Sequence, residues 1–151
     1  MAKFVYRLQN VLNIKLRMET QAKTVYSQAA GRLMEEQKKL NVLCERRKGY
    51  EDNLRQMATA KLNIPEMQRC NQAIAIVKEL IEKQDANVKI AEANVNLART
   101  RLNEAVKERK IYEKLKEKAF EEFKKEVAAE EKKEIDELVS FQYNDTKALE
   151  V

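Results

Sequence analysis

The sequence predicts an all-α fold: two long helices forming an antiparallel coiled-coil hairpin, with the second helix longer and projecting past the first. Three observations predict it. Turn formers are scarce, with two glycines and one proline in 151 residues, so the chain has few places to reverse direction. Charged residues reach 36% and alternate with apolar ones at heptad spacing, which belongs to long helices rather than to disorder. The single proline, Pro65, stands where two such patterns meet.

The first helix is expected from about residue 4 to 58. With position a at Val5, the a positions are Val5, Leu12, Glu19, Tyr26, Leu33, Leu40, Arg47 and Leu54. The d positions are Leu8, Lys15, Ala22, Ala29, Glu36, Leu43, Tyr50 and Met57. Most are apolar, which is the 3.5-residue seam of a coiled coil. A second stripe of Phe4, Val11, Met18 and Val25 widens the apolar face near the start. It is either covered by long neighbouring side chains or presented to another protein.

The bend is expected over 59–65. Proline has no N–H and clashes with a preceding helical turn, so Pro65 fits the first turn of a new helix and not the interior of an old one. The residue before it, Ile64, is biased towards extended geometry.

The second helix is expected from Pro65 to about residue 140. With a at Met67, the seam runs through Cys70, Ile74, Val77, Ile81, Gln84, Val88, Ala91, Val95, Ala98, Leu102 and Ala105. The small residues at 91, 98 and 105 let a partner helix approach closely. Beyond Arg109 the strict pattern decays. In a hairpin bending near residue 61, residue 5 pairs with roughly residue 117, so the last twenty or so helical residues are expected to have no partner in their own chain. Such a stretch is marginal on its own in water. Residues 1–141 thus form one hairpin domain, and 142–151 a flexible tail.

Composition excludes several functions. Histidine is absent, which removes the commonest general base and metal ligand. Two glycines cannot build a phosphate-cradling loop. No enzyme activity, cofactor or metal is expected. No apolar run is long enough to cross a membrane, and the N-terminus lacks the apolar core of a secretory signal. Hairpin pairing puts Cys44 opposite about residue 78, two turns from Cys70, so no disulfide is expected and a reducing compartment suits the chain.

Charge is banded. Residues 99–118 carry eight basic and four acidic side chains, while 119–137 carry four basic and eight acidic ones. Basic followed by acidic suggests an electrostatically addressed protein-docking end. The basic surplus lies among acids with few interleaved aromatics, which argues against nucleic-acid binding.

Both ends carry a family resemblance. The opening Phe4-x-Tyr6-Arg7-Leu8-Gln9-x-Val11-Leu12, followed by Glu19 and Ala22, resembles the start of the flagellar type III export protein FliJ family. So does the late block Glu108-Arg109-Lys110-x-x-Glu113-Lys114-Leu115-Lys116, followed by Phe123, Glu126 and the run from Glu131 to Glu137. The resemblance implies a cytoplasmic protein at the export apparatus, peripheral to the inner membrane. It implies a central stalk that docks in a hexameric export ATPase, promotes its assembly and activity, and links it to the export-gate membrane protein. A link to export chaperones comes with the family. On this resemblance the ATPase-docking residues are Phe4, Arg7, Arg109, Lys110, Lys114, Lys116, Glu130, Glu131 and Glu134. The export-gate contact is Leu43, Tyr50, Val77 and Leu80. The alternatives are the stalk protein of a virulence-type secretion system and a generic coiled-coil scaffold or adaptor.

Overall fold

The computed structural model describes residues 2–61 and 63–149. The chain is all-α, with α1 at Gln9–Thr59 and α2 at Ile64–Leu149. The two helices lie in close contact as an antiparallel helical hairpin. Among the described residues, no helix is long and apolar enough to cross a membrane.

The bend is closed by local hydrogen bonds. Ala60 N donates to Gln56 O at 3.1 Å, and Thr59 Oγ1 donates to the same carbonyl at 3.0 Å. Asn63 then caps α2. Its Oδ1 accepts from Glu66 N at 3.4 Å, and its carbonyl takes the first helical bond from Met67 N at 3.0 Å. An Asn cap satisfies amides that the first turn leaves orphaned. Pro65 falls within that turn, where its missing N–H costs nothing. Ile64 opens the helix instead of standing extended ahead of it, because Asn63 takes the cap position. The expected bend also covers Leu62, which lies outside the described residues.

Packing divides the chain into two compact units, residues 20–104 and residues 1–19 with 105–151. In the unit of 20–104, α2 buries Cys70, Ile74, Val77, Gln84, Val88, Ala91, Val95 and Ala98. All eight stand on the expected seam. Opposite them, α1 turns inward Ala22, Tyr26, Ala29, Leu33, Glu36, Leu40, Leu43, Arg47, Tyr50, Leu54 and Met57. Charged Glu36 and Arg47 therefore keep their heptad places. Glu36 is buried with Gln84, whose Nε2 donates to the Glu36 carbonyl at 2.9 Å and to its carboxylate. Cys70 donates its thiol to the Tyr50 carbonyl at 3.1 Å. Both cysteines are free thiols, Cys44 exposed and Cys70 buried.

In the unit of 1–19 with 105–151, Tyr6, Leu12 and Glu19 are buried. Two expectations are corrected here. The first helix begins at Gln9, not near residue 4, and Val5 is 77% exposed where the heptad gave it a seam position. The cause is long-range: Phe4 and Tyr6 anchor on α2 and hold the segment out of helical geometry. The second helix also continues to Leu149, so 142–149 are helical where the pattern placed the end of the helix near residue 140. That stretch has no glycine or proline, and adding residues to an existing helix costs far less than starting one. Thr146 Oγ1 also bonds back to Gln142 O at 2.9 Å. Residues 150 and 151 of the expected tail lie outside the described residues.

Candidate functional site

The end of α2 is the candidate site. Half-buried positions follow one another along α2 as far as Val127. From there to Leu149, every residue is exposed. The exposed set includes Ile135, Leu138, Val139, Phe141 and Tyr143, each between 59% and 67% exposed. Ile135, Leu138 and Val139 stand at i, i+3 and i+4, so they share a face. Leu138 and Phe141 line a shallow cleft with Glu134 and Glu137. This is a helix face with apolar anchors and an acidic rim.

The expected docking residues divide into two groups. Glu130, Glu131, Glu134, Lys110, Lys114 and Arg7 are exposed. Lys116 is half-buried beside Phe4, Leu12, Glu113 and Phe120. Arg109 and Phe4 are engaged within the chain. The Arg109 guanidinium pairs with Glu113 at 2.7 Å, and its Nε faces the Glu19 carboxylate. Its pKa is raised chiefly by the hydrogen bond to Glu113, against the opposing pull of burial, with both glutamates adding charge attraction. Lys15, one turn before Glu19 on α1, pairs with Glu108 at 2.9 Å and sits 5.9 Å from the Tyr112 ring centre. Its pKa too is raised, first by the Glu108 hydrogen bond. Within the basic band of 99–118, Arg109 is thus partly neutralised by Glu113 and Glu19.

The N-terminal segment adds an aromatic cluster. The Phe4 ring meets Phe120 edge-on at 5.1 Å between centroids and Phe123 at 5.4 Å. Tyr6 donates its hydroxyl to the Tyr112 carbonyl at 3.1 Å. The residues expected to dock include Phe4 but neither Phe120 nor Phe123, the rings it packs on. A signal was present: all four phenylalanines fall at residues 4, 120, 123 and 141, far apart in the chain but in one unit.

The expected export-gate residues are placed less evenly. Val77 is 4% exposed and belongs to the seam, because its side chain fills a d position against α1. Leu43 and Tyr50 are half-buried on the same seam. Leu80, 40% exposed, faces outwards.

A two-helix hairpin whose longer helix ends in a run exposed at every described position is the form of a stalk-like component. The family model of the flagellar FliJ protein matches residues 4–148, and the chain belongs to that family. Its role is that of a non-enzymatic, stalk-like component of flagellar and type III protein export. The fold is also similar to the solved structure of CT670, assigned as a YscO homolog, from Chlamydia trachomatis. That similarity has a TM-score of 0.71 and 24% identity, covering 96% of this chain and 98% of the other. No curated protein matches the chain significantly.

Proposed function

We propose that the exposed end of α2 is the part of the stalk seated in a hexameric export ATPase. The observation that carries this reading is the run 128–149, helical and exposed at every position. An isolated helix of that length gains little from its own backbone bonds, and its apolar face costs free energy in water. A ring of subunits closing around it would remove both penalties. The docking side chains are Glu130, Glu131 and Glu134 on the acidic stretch, with Lys110, Lys114, Lys116 and Arg7 behind it. Phe4 and Arg109 support them from within the hairpin.

A stalk acts by binding ring states unequally, since a ligand shifts a conformational equilibrium only by its difference in affinity. Banded charge suits that task, because each band meets the ring at a different depth. Nearer the bend, Leu80 with the outer edges of Leu43 and Tyr50 is the surface offered to the export-gate membrane protein, with Val77 packed beneath. The chain works in the cytoplasm, peripheral to the inner membrane, where export chaperones are further partners.

The test is ATP turnover and oligomer size of the export ATPase with the chain added. Turnover rises and hexamers accumulate with the native chain, and both responses weaken with Glu130→Lys, Glu131→Lys and Glu134→Lys combined. Unchanged turnover and assembly on adding the native chain would rule out the stalk reading.

A further inference from the structure

The geometry points to a second docking surface, the α2 face around Tyr112, Ala119 and Phe123, which the chain's own N-terminal segment occupies as a built-in ligand. This surface is separate from the exposed run 128–149, and its recognition chemistry does not depend on any ATPase.

The segment before Gln9 is not helical, and its side chains alternate as an extended strand's do. Phe4 and Tyr6 turn towards α2, with Tyr6 9% exposed, while Val5 between them is 77% exposed. Phe4 packs on Phe120 and Phe123, and Tyr6 anchors to the Tyr112 carbonyl. Lys3 and Arg7 flank the aromatic pair and line the same cleft as Glu122 and Glu126. The α2 face therefore reads a short extended motif: two aromatics two residues apart between basic side chains. Residues 3–5 lie outside α1, while the Tyr6 and Leu8 carbonyls accept from Gln9 N at 3.1 Å and Leu12 N at 3.0 Å. Release of the Phe4 and Tyr6 side chains therefore disturbs at most the first turn of α1 and leaves the seam beyond it in place.

The partner this face fits is an extended protein segment with the same chemistry, basic-aromatic-x-aromatic-basic. It competes with the chain's own residues 2–8. A tethered segment acts at a high effective concentration, and a site that is only fractionally open shows an affinity lowered by that fraction. The N-terminus thus sets a threshold that only a matching segment overcomes.

The experiment titrates a fluorescent peptide of residues 2–9 into two full-length proteins, native and Phe4→Ala/Tyr6→Ala. The peptide is expected to bind the variant at least about tenfold more tightly than the native protein, the gain being the lost competition. A peptide carrying alanine in place of its phenylalanine is expected to lose that binding. Equal affinity for both proteins, or no binding to a variant of native helicity, would overturn the proposal. A second readout needs no variant: the Phe4 ring resonances of the native protein shift towards free-chain values as unlabelled peptide is added. If they stay in place at saturating peptide, the face is not exchangeable and the proposal fails.

Discussion

Gln84 and Glu36 form a buried polar contact in a mostly apolar seam. A hydrogen bond to a charged group contributes about 1.5–3 kcal/mol, and removing one partner leaves the other unsatisfied. Gln84→Ala is therefore expected to lower unfolding stability by about 2 kcal/mol, read from urea denaturation. Replacing both residues with leucine should recover most of that loss, since an apolar pair leaves nothing unpaired. A second prediction concerns Lys15, whose pKa is raised in the folded state by Glu108. A raised lysine contributes stability that is complete below its unfolded pKa and fades as pH rises through the folded value. Native stability should therefore fall above about pH 10.5, and more steeply than in Lys15→Met, which keeps the apolar stem but not the charge. Parallel pH curves for the two proteins would show that the pair contributes nothing.

At the scale of the element, the seam was legible and the ends were not. Heptad spacing placed the inward residues of α1 from Leu12 to Met57 correctly, including Glu19, Glu36 and Arg47, because helical period depends on position and not on polarity. Spacing could not reveal that Phe4 would leave the helix. Its anchors, Phe120 and Phe123, lie more than a hundred residues away, and a period-seven stripe fits either a helix or a strap. It could not reveal the partner of Glu36 either, since both Glu36 and Gln84 read as imperfections in their own helices. The end of α2 was set too early because exposed polar residues lose the apolar period without losing the helix. Of the candidate docking residues, the exposed ones were readable as charge bands. Of the internal ties of Arg109, the i,i+4 pair with Glu113 is local, but the one with Glu19 is brought in from α1, which local sequence does not specify. The small seam residues give the element-scale prediction. Ala98 is 4% exposed, so Ala98→Leu overpacks the interface and should cost about 1–3 kcal/mol. A thermal melt that is unchanged or raised would mean that the helices have room to spare there.

For the molecule as a whole, burial and exposure are distributed to different ends. The unit of 20–104 holds a continuous seam, whereas the last turns of α2 bury nothing. Deleting residues 128–151 should therefore leave urea stability nearly unchanged, because no buried contact among the described residues is removed. The same deletion should abolish the effect on the export ATPase. Such a separation between stability and activity is what distinguishes a gripped shaft from a frayed tail or a packed element. The most direct measurement is electron-microscopic averaging of export ATPase rings formed with the full chain and with the chain ending at Val127. Central density should fill the pore with the full chain and vanish with the shortened one. An empty pore with the full chain, or unchanged density after the deletion, would contradict the account.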